Sequence, residues 1–283
     1  MPTQTLAALF RRFSLLVVMT LGASLVAAWL VGMSPGSQVD AITMDTRLND
    51  SSVRTLLTER DPQAWLGRLL SGDLGESSAY GRPVTELLSE RVYGTAALVA
   101  TGLAGAWGVA LAVLLASLAI RSAKFDTALA ALTGTALSQP AAMLALLCLY
   151  LDWPGAIAIA TLLFPQIYAY LRNVVDRILD EPHVLAAFSR GVRRRSVLWR
   201  HVLLRAVPTT LSLLGVSASL AIGAAVPVEV ICDLPGLGQL IWEAALSRDL
   251  PLIVALTAVV AFVTISANFL ADAASAFVET GAK

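Results

Sequence analysis

Lysine is almost missing from this chain: Lys124 and Lys283 are the only two in 283 residues. Neither sits in a glycine-rich Gly-Lys-Ser/Thr loop, so nothing here would reach the terminal phosphates of a bound nucleotide. If ATP powers this protein, another chain is expected to hydrolyse it. Cysteine and histidine are just as sparse. Cys148 and Cys232 form no Cys-x-x-Cys pair. A disulfide between them stays open, a buried free thiol being the commoner state. His183 and His201 lack the i, i+4 spacing of a zinc-binding helix, so no metal site is readable. Charged residues make up 14% of the chain, against about 25% in soluble domains. The formal net charge is zero, which gives no bulk attraction to nucleic acid.

What is present is apolar. Hydrophobic residues reach 57%, and the mean hydropathy is +0.74. A soluble protein of this composition would have too little polar surface to cover itself. Crossing a hydrocarbon core takes about 20 apolar residues, and six stretches qualify: 13–33, 95–120, 127–151, 154–171, 208–231 and 251–277. The fourth is the shortest. The first follows Arg11 and Arg12, as a signal peptide would. Its apolar run is too long for one, and Ser34-Pro35-Gly36 is a poor cleavage site, so it is read as a retained helix. The expectation is an all-α membrane protein with six transmembrane helices.

Orientation follows from the basic residues. With the amino terminus (1–12) in the cytoplasm, the inner segments hold 13 of the 20 basic residues, eight of them arginines between Arg172 and Arg205. The positive-inside rule then places both termini in the cytoplasm. The segment 34–94 is expected outside, as is the loop 232–250. The segment 95–283 forms a five-helix core whose inner loop, 172–207, is too long for a plain connector.

That inner loop reads as two short helices around a break. Asp180 or Glu181 can cap the first, and Pro182 suits its opening turn. Gly191 stands where a left-handed residue would end it. Ser196 can cap a second helix, 197–206. Lying on anionic headgroups is the plain alternative for so basic a loop. After Pro235, Gly236 and Gly238 permit a tight turn. Leu240, Ile241, Ala244 and Ala245 then repeat at helical spacing, which leaves Gln239, Glu243 and Arg248 toward water or a partner.

Several of these stretches resemble one family. Leu185-Ala186-Ala187-Phe188-Ser189-Arg190-Gly191 resembles the Glu-Ala-Ala-x-x-x-Gly loop of ATP-binding cassette (ABC) importer permeases, with Leu185 where the family has glutamate. Met33-Ser34-Pro35-Gly36, Gly72-Asp73-Leu74-Gly75 with Gly81-Arg82-Pro83-Val84 and Glu90-Arg91, and Val228-Glu229-Val230 with Leu234-Pro235-Gly236-Leu237-Gly238 and Ser247-Arg248-Asp249 narrow it. They are similar, in order, to the first permease subunit of the dipeptide/oligopeptide/nickel importers. The later loop proline of that family is Leu204 here, with Pro208 nearby, and its basic tail is missing.

The resemblance implies a type I importer bundle that moves a small solute, most simply a di- or oligopeptide, by alternating access. Nickel or another small solute of the family is the alternative cargo. It implies a second homologous permease, two ATPase subunits carrying ATP and magnesium, and an extracytoplasmic binding protein, with no cofactor and no catalytic residue in this chain. Leu185, Ala186, Ala187, Phe188, Arg190 and Gly191 would couple to the ATPase. Ser138, Pro140, Glu229, Pro235, Gly236 and Gly238 are candidates for the path or outer gate, each able to serve packing instead. Asn268 and Asp272 would hydrogen-bond between helices. A non-transporting scaffold or sensor is the rival function, motivated by the missing glutamate. A channel or ion-driven carrier would need ionisable residues at mid-membrane, which the span centres scarcely offer.

Overall fold

A computed structural model describes residues 73–120 and 122–281, together with 14, 18–23, 25, 26 and 29. The expected first span, 13–33, lies largely outside the described residues; those of its positions that are described are helical. The segment 34–72, with the Met33–Gly36 motif and Gly72, also lies outside them.

Among the described residues the chain is helical. The order is α1 (Val84–Ile120), α2 (Ala123–Leu137), α3 (Ala141–Tyr150), α4 (Gly155–Leu179), α5 (Pro182–Ser189) and α6 (Arg194–Val197). A π-helical stretch, Leu198–Leu203, leads into α7 (Leu204–Ile231), followed by α8 (Leu237–Ser247) and α9 (Leu250–Gly281). Four of these are long and apolar enough to cross a membrane: α1, α4, α7 and, over Pro251–Val278, α9. The pair α2 and α3 passes the same test only when taken together, and it is bent by 94°.

That bend divides the single span expected over 127–151 into two helices. Pro140 has no N–H to give and its ring opposes the carbonyl one turn back, while its predecessor is pushed out of the helical region. Ser138 and Gln139 therefore turn the chain off α2, donating to the carbonyls of Thr135 (3.2 Å) and Ala136 (3.3 Å). Pro140 itself is extended, with φ −73° and ψ 143°. In contrast, Pro165, Pro208 and Pro227 lie inside α4 and α7 without ending them. Two further differences concern helix starts. α1 begins at Val84 rather than 95. The helix expected at 197–206 with Ser196 as its cap instead runs from Arg194 through the π-helical stretch into α7.

The chain divides into two compact units. The first, among the described residues, comprises 14, 18–23, 25, 26, 29, 73–96 and 233–265. Gly75 (φ 76°) and Gly81 (φ 61°) take left-handed turns that let Val84 N donate to Gly75 O at 3.0 Å and Ser77 N to Arg82 O at 3.0 Å. The resulting loop delivers Val84 and Leu87 of α1 to Leu237, Leu240, Leu252 and Leu256, which are all buried together. On the outer side of α1, Arg82 reaches Glu86 at 2.9 Å and Glu90 at 2.6 Å, so its first turns are polar.

The second unit comprises 97–232 and 266–283. Small residues set its helix contacts. A Cβ on Gly102 would come within 2.7 Å of the Ile159 side chain, and one on Gly215 within 2.6 Å of Ala271 Cβ. α4 supplies the centre, with Ile159, Leu163 and Ile167 essentially inaccessible. Polar pairs fasten neighbouring helices: Trp107 Nε1 donates to Ser217 Oγ at 3.2 Å, and Asn268 Nδ2 to Ser219 Oγ at 2.5 Å.

Candidate functional site

The stretch that holds Leu185 to Ser189 folds as α5, a helix of eight residues. Its end is built by Gly191, which is left-handed at φ 75°. That conformation lets Val192 N reach Ala187 O at 3.2 Å, the long-range bond of a Schellman cap. Ala186 is exposed and Ala187 is 3% exposed, so the two alanines lie on different faces of the helix. Arg190 is exposed and folds back, its Nε donating to Ala186 O at 3.1 Å. Leu185 and Phe188 lie in the helix, their side chains outside the described set.

The junctions of α5 are tied. Asp180 closes α4 instead of capping α5. Glu181 is committed elsewhere: its Oε2 accepts from Arg205 Nη1 of α7 at 2.7 Å and lies 3.2 Å from His183 Nδ1. This ion pair joins the two ends of the loop. It is solvent-exposed, so it contributes about 0–1 kcal/mol.

A deeper node lies further back on α4. Arg172 donates from Nη1 to Ser117 Oγ (2.9 Å), from Nε to Asp176 Oδ2 (2.9 Å) and, at 3.5 Å, from Nη2 to Asp126 Oδ2. These acceptors stand on α1, α4 and α2. Sequence reasoning counted Arg172 only as a positive-inside charge.

In the first unit the Pro235-Gly236-Leu237-Gly238 turn packs on α1 about three turns from its start, at Gly94 and Thr95. Leu237 N donates to Thr95 Oγ1 at 2.7 Å, so a threonine far away in sequence caps α8. Gly94 makes room for this approach: a Cβ there would lie 2.1 Å from Pro235 O. Pro235 is exposed, while Gly236 and Gly238 are buried. α8 forms where its apolar spacing placed it. It ends on Arg248, which is left-handed at φ 54°, with Asp249 N donating to Ala244 O at 2.9 Å.

Asp249 is fully buried and accepts from Ser77 Oγ (2.5 Å), Ala79 N (3.0 Å) and Leu252 N (3.3 Å). It therefore starts α9 and holds the 77–80 loop at once. Tyr80 donates its hydroxyl to Glu243 at 2.6 Å. That hydrogen bond, then burial and the carboxylate's charge, raise the phenol above its ordinary value. Gln239 is engaged by Arg91 at 2.9 Å and donates to Asp233 at 2.7 Å.

The remaining candidates scatter. Ser138 and Pro140 are exposed at the α2–α3 break. Glu229 is 1% exposed on α7. Asn268 bonds Ser219 as above, and the Asp272 carbonyl accepts from Ser275 Oγ at 2.9 Å. Gly94, Thr95, Ser77 and Arg172 carry contacts that sequence reasoning missed. Among the described residues no His, Cys, Asp and Glu side chains group as metal ligands.

Long apolar helices packed through glycines and sparse polar pairs define a multi-pass membrane protein. Residues 65–283 match the family described as binding-protein-dependent transport system inner membrane component, and the chain belongs to that family. Its members are transport permease components, not enzymes. A protein of Brucella suis biovar 1 (strain 1330), provisionally named a peptide permease, is 29% identical, the alignment covering 88% of this chain and 90% of that one. One of Brucella abortus (strain 2308), provisionally named a peptide transport system permease, is 30% identical over 74% of each chain. The oligopeptide transport system permease AppB of Bacillus subtilis (strain 168) is 25% identical over 96% and 98%.

Proposed function

We propose that this chain is one of two homologous permeases of an ABC importer, with six spans and both termini in the cytoplasm, and that its cargo is a di- or oligopeptide. The names of the Brucella and Bacillus relatives support the peptide reading. A binding protein delivers the solute outside. Two ATPase subunits, carrying ATP and magnesium, drive alternating access from inside.

The observation that carries this reading is α5, a short helix with exposed Ala186 and a left-handed Gly191, held between two long apolar helices. A helix seats in a cleft only where its side chains are small. In this reading Leu185, Ala186, Ala187, Phe188, Arg190 and Gly191 contact the ATPase. With no glutamate at Leu185, packing by Phe188 outweighs the exposed arginines. Ser138, Pro140, Glu229 and the Pro235, Gly236 and Gly238 turn belong to the path or its outer gate. Asn268 and Asp272 hold helices together.

A photo-crosslinking residue in place of Ala186, in the assembled complex, tests the contact. An adduct with the ATPase subunit whose yield changes with ATP is expected. No such adduct in a complex that still takes up solute would overturn it. An adduct without any uptake would favour the scaffold reading.

A further inference from the structure

The coupling helix cannot move the membrane helices unless something links them. The backbone supplies one link, since only Asp180 and Glu181 separate α4 from α5. The side chains supply a second. The Arg172 guanidinium uses three different nitrogens for three acceptors: Ser117 Oγ at the end of α1, Asp126 in the first turn of α2 and Asp176 on α4. Ser117 is 2% exposed and is itself anchored, donating to Leu114 O at 2.8 Å. Asp126 has its other oxygen, Oδ1, buried without a hydrogen bond. The carboxylate is partly exposed, so solvent shares in stabilising it, and Arg172 fixes where its Oδ2 points.

We infer that Arg172 is a positioning residue that makes the α1–α2 corner ride on α4, so that displacement of α5 reaches α1 and α2 as one rigid movement. The inference rests on the proposed docking of α5 on an ATPase. Arg172 lies seven residues, about 10 Å at about 1.5 Å per residue, before the end of α4 at Leu179, and so is not part of the docking face. The planar fork is the essential feature. A lysine keeps the charge and three donors, but all on one nitrogen, which cannot span acceptors that the guanidinium reaches from three separate nitrogens.

The test uses the complete complex in lipid nanodiscs, with Cys148 and Cys232 replaced by serine and spin labels at Lys124 on α2 and Ser189 on α5, both exposed. A narrow distance distribution is expected for Arg172, and a broadened one for Arg172→Lys and Arg172→Gln. In proteoliposomes the two variants should keep ATP hydrolysis within about twofold, while solute taken up per ATP falls by about tenfold, the ratio that a coupling free energy of about 1.4 kcal/mol corresponds to. A distribution that stays narrow in Arg172→Gln overturns the joint. So does Arg172→Lys behaving as the wild type in both readouts. Broadening with coupling unchanged overturns the transmission role. Failure of the wild-type complex to take up solute refutes the proposed function and the transmission role together, and is recognised because it needs no variant.

Discussion

Gly94→Ala is a one-carbon change with a calculable penalty. The new Cβ would lie 2.1 Å from Pro235 O, 3.3 Å from Pro235 C and 3.8 Å from Gly236 Cα. Carbon and oxygen approach comfortably only to about 3.3 Å, so the loop must retreat by about 1 Å. It has little freedom to do so. Pro235 has its φ fixed by the ring, and the next peptide is held by Leu237 N on Thr95 Oγ1 at 2.7 Å. Overpacking of this kind costs about 1–3 kcal/mol, and loss of the Thr95 cap adds about 1 kcal/mol. Against that, alanine in a helix gains about 0.5–1 kcal/mol over glycine. The net loss is about 1–3.5 kcal/mol, which at about 2–4 °C per kcal/mol lowers the melting temperature by roughly 2–14 °C. The control is Gly108→Ala on the same helix, where a Cβ meets nothing within 4 Å. Thermal unfolding in detergent, followed by near-ultraviolet circular dichroism, compares the two. Equal melting temperatures for both variants would refute the close approach of the loop to α1.

Three other outcomes follow from the same contacts. Asp249→Ala strands the buried Ser77 hydroxyl, at about 1–3 kcal/mol, and releases the Ala79 N–H to solvent; limited proteolysis should open the chain near 77–82, and an unchanged digest would count against the node. Tyr80 should ionise above the ordinary tyrosine value of about 10. Its neutral form is the one the fold favours, so its contribution is complete below about pH 10 and is lost as pH rises through the raised value; Glu243→Gln should bring the titration back down in ultraviolet absorbance, and no change would sink the hydrogen bond. Gly191→Val places a β-branched residue at φ 75°, costing about 1–2 kcal/mol. It should uncouple hydrolysis from uptake in reconstituted complexes while Arg194→Ala does little, and the reverse pattern would mean charge, not shape, holds the loop.

Composition and periodicity were enough to read a helical membrane protein, because apolar runs of this length leave no other use for the chain. α5 and α8 were legible for local reasons: Pro182 and Gly191 bracket one, and Gly236 with the Leu240, Ile241 and Ala244 spacing mark the other. The start of α1 was obscured by Arg82, Glu86 and Glu90, whose polarity reads as a loop although they sit at helical spacing. The full break at Pro140 was not legible, because the apolar run continues on both sides of it. Arg248 gave no sign of a left-handed cap, since arginine seldom takes that conformation. The contacts of Arg172, Thr95 and Asp249 join residues separated by 55, 142 and 172 positions respectively. No local pattern records such pairings; only the packed helices bring the partners together.

Uptake of a radiolabelled peptide into proteoliposomes tests the central claim most directly. The vesicles would hold both permeases and both ATPase subunits, with ATP inside and the loaded binding protein outside. Accumulation that requires this chain, the binding protein and hydrolysable ATP is the predicted result. Accumulation unchanged when this chain is omitted, or when ATP is replaced by a non-hydrolysable analogue, would contradict the account.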